Sequence, residues 1–277
     1  MEQLTNIIID DKITGTQLKL QDVIDNRLPV AIENLDLSHM IFENGKLPDL
    51  SYIEIRNHFD CAHTNITSFS GFPDVRGGID ISNTMITSLE GCPKTVQEIE
   101  MSYTEISSFK GCPDSAEIID AWKTNVSTFG HISKNVRKLS IGRTKIRDLS
   151  KCPDTVVDLT ADYLDVSTLK GLPHKLTALS IAGSSIENFK GMPKTVTDIC
   201  CYHNDKLNGF DGLNIEALKG IAIVSCPNVL EEEVDAYHKI IKVRTLLQKR
   251  EILEKFLAKK EDIIRQKQLE EERRQYV

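Results

Sequence analysis

Apolar residues recur along the chain every 20 residues, at several positions of one repeating unit. One column consists of Phe59, Ile79, Ile99, Ile119, Leu139, Leu159, Leu179 and Ile199. A second column, two residues later, consists of Cys61, Ile81, Met101, Ala121, Ile141, Ala161, Ile181 and Cys201. Because the chain is 40% apolar, filling one such column by chance has odds below about one in a thousand. The sequence is therefore an internal repeat.

Each position of the unit predicts a local structure. An alternating pair such as Ile99 and Met101 predicts a short strand with one face buried. Thr104, which follows this strand, is expected to bond the backbone of a neighbouring coil. Pro93, with Gly91 two residues earlier, predicts a chain reversal, because Gly tolerates positive φ and Pro fixes its own. Twenty residues leave no room for an outer helix, so we expect a gently curved solenoid stabilised by the stacking of its coils.

The repeat resembles a known family. One copy reads Val96-x-x-Ile99-x-Met101-x-x-Thr104-x-Ile106-x-x-Phe109. This resembles the leucine-rich-repeat pattern LxxLxLxxNxLxxL in short units, as in proteins of phages, giant viruses and bacteria. It is also similar to the repeats of bacterial type III effectors of the YopM and IpaH group. The resemblance covers residues 59–199. It implies an α/β leucine-rich-repeat solenoid with short parallel strands on the concave face, little helix in the coils, and a protein-binding function.

The chain departs from the effector pattern in ways that bear on enzymatic activity. Effector repeats carry Leu-Pro and Asn where this chain has Cys-Pro, as at Cys92, and Thr. Effector ligases also carry a large catalytic domain with a nucleophilic Cys, whereas the residues after Cys226 contain no Cys. The seven His are dispersed, and none recurs with a paired Ser or Cys. We therefore expect a non-enzymatic protein without metal or cofactor.

Three regions are expected along the chain. Residues 1–58 form an N-terminal cap and irregular coils, with a capping strand at residues 7–9 and strand pairs at Leu18/Leu20 and Leu35/Leu37. Residues 59–228 form the regular solenoid with divergent last coils. Residues 229–277 contain no Gly or Pro, are rich in Glu, Lys, Arg, Leu and Ile, and carry an apolar stripe that starts at Val234, Tyr237 and Ile240. This pattern predicts an amphipathic helix capped by Asn228. Two interpretations of this helix stay open: it caps the last coil, or it is a partner-binding or coiled-coil arm.

The strand positions that alternate with the buried pair define a candidate binding surface on the concave sheet. Its candidate residues are Asp60, Asp80, Glu98, Glu100, Tyr103, Asp120, Trp122, Asp162, Tyr163 and Tyr202. Four acidic residues in this set share one repeat position, which predicts a ladder of like charges at about 4.8 Å spacing. Like charges on neighbouring strands destabilise a sheet, so a retained ladder favours a basic partner. Tyr and Trp are frequent binding hot spots.

We place the centre of this protein-binding patch at Asp80, Glu100, Asp120 and Trp122. An alternative for the ladder is that it only keeps the solenoid soluble and prevents lateral association. The exposed tyrosines also have an alternative to a binding role, which is that they pack on their neighbours across the sheet.

Composition narrows the remaining function classes. The net charge of −7 argues against nucleic acid or anionic membrane as the main partner. The start of the sequence shows no secretion signal, and seven scattered Cys favour reduced thiols. We expect a cytoplasmic protein-binding scaffold, in the host cytoplasm if it is a viral protein or a bacterial effector. The alternative is an assembly protein whose C-terminal helix oligomerises or docks into a larger complex.

Overall fold

The computed structural model describes residues 4–243 and 246–275, which contain thirteen strands and three α-helices. In chain order these are β1 (Ile8–Asp10), β2 (Gln17–Lys19), α1 (Leu20–Asn26), β3 (Val30–Asp36), β4 (Ile53–Asp60), β5 (Asp74–Val75), β6 (Gly78–Asp80), β7 (Glu98–Glu100), β8 (Ile118–Asp120), β9 (Lys138–Ser140), β10 (Asp158–Thr160), β11 (Ala178–Ser180), β12 (Asp198–Tyr202), β13 (Gly220–Val224), α2 (Glu231–Lys242) and α3 (Leu246–Gln275). Short 3-10 turns lie at Leu4–Asn6 and Glu43–Gly45.

Strands β3 to β13 form one parallel sheet to which each coil contributes a strand. The strands pair in the order β3, β4, β6 and then consecutively to β13, while β5 also pairs with β4. Ile79 pairs with Ile99, and Ile99 with Ile119, so the register advances by one 20-residue coil at each step. The described residues from Ile53 to Val224 include no helix. The predicted solenoid with little helix in its coils and a C-terminal helical segment is confirmed.

The two apolar columns form the interior of the solenoid. Phe59, Ile79 and Ile99 are fully buried, as are Ile81 and Met101 two residues after a member of the first column. Burying one such side chain contributes roughly 1.5–3 kcal/mol. A single coil cannot bury its own apolar residues, so this burial depends on the stacking of neighbouring coils.

The threonine column makes a different hydrogen bond from the predicted one. Thr104 Oγ1 donates to the carbonyl of Met101 in its own coil at 2.8 Å, and Thr64, Thr84, Thr124 and Thr144 repeat this bond. The prediction of a bond to a neighbouring coil is wrong for threonine, because its short side chain reaches back three residues but not across the strand spacing. The longer amide of Asn204 does cross it and donates to Ile181 O at 3.0 Å.

The N-terminal region is a hairpin followed by a short helix. Strands β1 and β2 pair antiparallel, with Ile9 opposite Leu18. The predicted strand pair Leu18/Leu20 is wrong, because Leu20 is the first residue of α1 and is buried together with Val23 on one helix face. Asp11 connects the hairpin to β3 by accepting the backbone N–H of Ala31 at 3.1 Å. A hydrogen bond from the Thr14 hydroxyl, with backbone N–H groups, lowers the pKa of Asp11 to about 2.

The C-terminal segment forms two helices where the sequence predicted one. Helix α2 begins at Glu231 after Leu230, and the predicted cap Asn228 instead donates its side-chain amide to a carbonyl of the preceding coil. The Tyr237 ring contacts the Phe210 ring edge-on, with 4.6 Å between centroids, and Ile240 is fully buried. Helix α2 therefore covers the end of the solenoid. None of the described helices combines the length and the apolar composition needed to cross a bilayer.

A buried carboxylate joins the last coil to both C-terminal helices. Glu233 is only 3% exposed. Its Oε1 accepts the backbone N–H of Phe210 at 3.2 Å, and its Oε2 lies 3.1 Å from Lys260 Nζ on α3. Lys249, also on α3, donates to the carbonyl of Leu218 in the last coil at 3.3 Å. Polar groups of both helices thus satisfy backbone groups that the final coil would otherwise leave unpaired.

Replacing Gly111 with Ala should destabilise the solenoid by at least about 2 kcal/mol. Gly111 has φ of +91°, and an added Cβ would lie 2.5 Å from the carbonyl of Leu89 in the adjacent coil. The control is Gly130→Ala, because φ there is not left-handed and the nearest atom would lie at 3.5 Å. Urea unfolding measures both variants, and equal loss in the two would contradict this account of the turn.

Replacing Glu233 with Ala should cost about 2–3 kcal/mol of unfolding free energy, because a charged hydrogen bond and a shielded ion pair are both lost. The matched control is Glu231→Ala, two residues earlier in the same helix turn, where the side chain is exposed. Chemical denaturation followed by circular dichroism gives both values. A Glu233 variant as stable as the Glu231 variant would show that this carboxylate does not hold the cap in place.

Candidate protein-binding surface

The outward positions of the sheet carry a row of five carboxylates. The sheet register places them on adjacent strands in the order Asp36, Asp60, Asp80, Glu100 and Asp120. We call these five residues the acidic ladder. All five side chains are partly or fully accessible to solvent. The row ends at β9, where Ser140 pairs with Asp120.

Asp36 is a member of the ladder that the repeat analysis missed. It lies 24 residues before Asp60, because the coil between β3 and β4 is longer than the regular unit. Its position was nevertheless encoded in the pair Leu35/Leu37, since the residue between two inward-facing positions of a strand points outward. Leu35 and Leu37 are both buried, in agreement with that alternation.

The aspartates of the ladder also have a structural role. Asp60 and Asp80 each accept, through Oδ1, the backbone N–H two residues later, at 2.9 and 2.8 Å. Asp120 accepts the N–H of Trp122 at 2.9 Å, and Asp36 makes the equivalent bond to Ser38 at 2.8 Å. This local bond turns the chain out of the strand, which is a common use of Asp. The recurrence of Asp is therefore explained in part by the turn.

Glu100 is the exception in the ladder. No hydrogen bond to its carboxylate is found among the described residues, so turn formation does not account for its charge. Burial raises the pKa of Glu100, and the neighbouring carboxylates of Asp80, Glu98 and Asp120 raise it further, while His58 acts in the opposite sense. Negative charge is thus concentrated and poorly compensated around Glu100, and a cation placed there would be stabilised.

Beyond β8 the outward face changes character. In register with Glu98 of β7 are Ile118 of β8 and then Lys138 of β9. Lys138 Nζ lies 3.8 Å from Asp158 of β10, and both side chains are well exposed, so this ion pair adds little stability. The ladder row is therefore acidic from β3 to β8, whereas the neighbouring row through Glu98 is mixed in charge from β9 onward.

Trp122 lies at the end of the acidic ladder and packs on a glycine of the next coil. A Cβ added at Gly142 would lie only 2.2 Å from Trp122 Cζ3, so the ring rests directly on that backbone. The Trp122 ring also meets the Tyr163 ring edge-on, with 6.3 Å between centroids. Tyr163 in turn packs on Gly183, where an added Cβ would lie 2.4 Å from Cδ1. A glycine in the next coil is the sequence signal that marks these two aromatic rings.

The column that follows these positions adopts left-handed backbone conformations that the sequence analysis did not predict. Its members are His63, Asn83, Tyr103, Lys123, Arg143, Tyr163, Gly183 and His203, with φ between 53° and 60°. Gly adopts this conformation freely and Asn or His at a moderate cost, whereas it strains the backbone at Tyr, Lys and Arg. The backbone N–H of each donates to the next coil, as from Tyr103 to Trp122 O at 2.9 Å. These inter-coil bonds offset the strain.

Two tyrosines of this column each lie under a cationic side chain from an adjacent coil. Lys123 Nζ is 4.8 Å from the centroid of the Tyr103 ring, and Arg143 Cζ is 4.4 Å from that of the Tyr163 ring. Both rings remain accessible, at 50% and 41% exposed. The tyrosines thus pack on neighbours and still present a free edge, so the two interpretations of their role are compatible.

The structure brings together only part of the predicted set. Asp162 Oδ1 accepts the Ser180 hydroxyl and the Ala182 N–H, both at 2.8 Å, and so connects two coils. Tyr202 belongs to β12, four coils beyond Trp122, which corresponds to about 19 Å along the sheet. The acidic ladder, Trp122 and Tyr163 form one continuous surface, and Tyr202 lies outside it.

Comparison with known proteins identifies the architecture. No family model matches the sequence, and no curated protein matches it either. Among solved structures, an internalin (inlF) from Listeria monocytogenes is similar with a TM-score of 0.55 and 11% identity, over 82% of this chain and 81% of that one. YopM from Yersinia enterocolitica is similar with a TM-score of 0.50 and 16% identity, over 66% of this chain.

The chain has a leucine-rich-repeat fold. The resemblance predicted from the 20-residue repeat is thereby confirmed. This leucine-rich-repeat chain covers 49% of the YopM chain, about half its length. At identities of 16% and 11% the likeness establishes the fold and leaves binding to be argued from the surface itself.

Replacing Glu100 with Gln should raise the unfolding free energy of the leucine-rich-repeat solenoid near neutral pH by about 0.2–1 kcal/mol, because like-charge repulsion is removed. Because the pKa of Glu100 is raised in the folded state, the unmodified protein loses stability as pH rises through that pKa. The advantage of the variant should therefore shrink as pH falls and Glu100 becomes protonated in the unmodified protein. Thermal unfolding at several pH values measures it.

Asp154→Asn is the control, since this exposed carboxylate lies in the turn before β10 and outside the ladder. An equal gain in that variant would show that net charge, and not the ladder, is responsible.

Proposed function

We propose that the protein is a non-enzymatic interaction scaffold that binds a basic protein surface on its outward sheet face. The acidic ladder is the centre of this site, and Trp122 with Tyr163 forms its apolar margin. The observation that carries the proposal is the environment of Glu100. Its carboxylate is partly buried, shares the ladder with four other carboxylates, has a raised pKa and makes no hydrogen bond in the turn.

The ladder favours binding in two physical ways. A row of carboxylates attracts a basic partner during encounter and so accelerates association, more strongly at low salt. In the complex, a Lys or Arg beside Glu100 replaces repulsion from Asp80 and Asp120 with attraction. The backbone N–H of Trp122 donates to Asp120, the last ladder residue, and the Trp122 ring packs on Gly142 of the next coil. The ring therefore supplies an apolar anchor at the margin of the charged row.

The cellular role is proposed from the resemblance of the repeats to those of viral proteins and bacterial effectors. In this proposal the protein acts in the host cytoplasm and blocks or redirects a host protein through the acidic face. The partner is a protein with a basic patch, and neither nucleic acid nor membrane is its target.

The double variant Glu100→Gln with Asp120→Asn should bind a Lys/Arg-rich peptide about ten- to a hundred-fold more weakly than the unmodified protein. Asn keeps the Oδ oxygen that accepts the Trp122 N–H, so the turn is retained while the charge is removed. Fluorescence anisotropy with a basic peptide, and with a Glu-rich peptide of the same length, measures the effect. Asp154→Asn serves as the control.

Trp122→Ala should also weaken binding, provided that its unfolding curve remains close to that of the unmodified protein. Affinity for the basic peptide should rise with pH while Glu100 loses its proton and level off above that range, and the Glu100→Gln variant should lack this rise. Equal affinity for the basic and the Glu-rich peptide, or unchanged binding by the double variant, would contradict the proposal.

A further inference from the structure

Helices α2 and α3 form the two sides of an open groove of about 360 Å³ that lies apart from the outward sheet face. Ala236 of α2 and Phe256 of α3 form its floor and are 6% and 8% exposed. Ile252 and Ile263, both half-buried, extend the apolar lining along α3. The groove is therefore an apolar slot between two helices, with its open side toward solvent.

The dimensions of the slot correspond to a helix. Ile252, Phe256 and Ile263 lie four and seven residues apart, so they form one stripe along α3. At 1.5 Å per residue this stripe is about 16 Å long, or roughly three helical turns. A slot between two helices receives a row of side chains from a third helix, whereas a lipid surface requires a protruding apolar face.

The rim of the groove is basic. Lys239, Lys255 and Lys259 line it. Lys255 Nζ pairs with Glu251 at 2.7 Å, but among the described side chains, at residues 4–243 and 247–271, no carboxylate forms an ion pair with Lys239 or Lys259. The acidic lining residue, Glu232, is neutralised by Lys267 at 3.1 Å. A chain with a net charge of −7 thus presents two unpaired cations beside an apolar slot.

We propose that this groove binds an acidic amphipathic helix of a partner protein. Apolar side chains at positions i, i+4 and i+7 of that helix lie on Phe256 and Ala236, and its flanking Asp or Glu residues pair with Lys239 and Lys259. The site is independent of the outward sheet face and selects the opposite charge. The scaffold then has two docking surfaces, one for a basic and one for an acidic partner element.

The test uses a fluorescent helical peptide of about 14 residues with Leu at i, i+4, i+7 and i+11 and Glu at the flanking positions. Its comparison peptides are a Lys-for-Glu version and a scrambled version of the same composition. The full chain is titrated by fluorescence anisotropy, and a photo-crosslinker at the central Leu locates the bound peptide.

The protein variant is Lys239→Glu with Lys259→Glu, which leaves the apolar floor intact. The matched control is Lys94→Glu with Lys175→Glu, two exposed lysines on the solenoid turns.

Binding of the acidic peptide, crosslinking to α2 and α3, and at least about ten-fold weaker binding by the groove variant would support the proposal. The affinity should also fall as salt rises from about 50 to about 500 mM. Equal affinity for the Lys-for-Glu or scrambled peptide, or equal weakening by the control variant, would overturn it. Co-sedimentation with anionic vesicles that the groove variant abolishes, or a dimer in light scattering that excludes the peptide, would assign the groove to lipid or to a second copy instead.

Discussion

The stacking of coils in one register is the constraint on which the rest of the molecule depends. Ile79, Ile99 and Ile119 pair directly across neighbouring strands, so each repeat position becomes a continuous row. No coil buries its apolar edge alone, and the interior exists only because the rows coincide. The same coincidence forces outward residues into rows as well, which makes any preference at one position a property of the whole face. A single acidic position becomes the acidic ladder in this way.

In the proposed function, the residues of the acidic ladder serve both the structure and the binding of a partner. Asp60, Asp80 and Asp120 satisfy the backbone at the end of each strand and contribute charge at the same time. Glu100 contributes only charge, against the repulsion of its neighbours. The left-handed column beside it is strained, and hydrogen bonds between coils hold it in place. These bonds fix the positions of the charges and rings on the face, so the proposed partner would lose less entropy on binding than it would on a mobile surface.

Periodicity made most of the solenoid predictable, because a 20-residue repeat leaves one way to align its strands. What it could not supply were interactions between unlike positions. The bond of Thr104 within its own coil depends on side-chain reach, and the contact of Trp122 with Gly142 depends on the neighbouring coil. Asp36 was missed because its coil departs from the period. The division of the C-terminal segment into α2 and α3 has no Gly or Pro to mark it.

The two proposed docking surfaces lie on different parts of the molecule and carry opposite charges. The solenoid carries its carboxylates on the sheet, while the helices that close its end carry Lys239 and Lys259 beside an apolar slot. The closing helices are held by buried polar contacts from Glu233 and Lys249, so the slot has a fixed position relative to the last coil.

A carbon-13 NMR titration of the Asp and Glu carboxyl groups, with and without a Lys-rich peptide, tests the coupling of the ladder most directly. The account predicts a pKa above the usual range of Glu for Glu100 and a pKa below the usual range of Asp for Asp36. It also predicts that the peptide lowers the pKa of Glu100. A Glu100 that titrates as an isolated carboxyl group and does not respond to the peptide would contradict it.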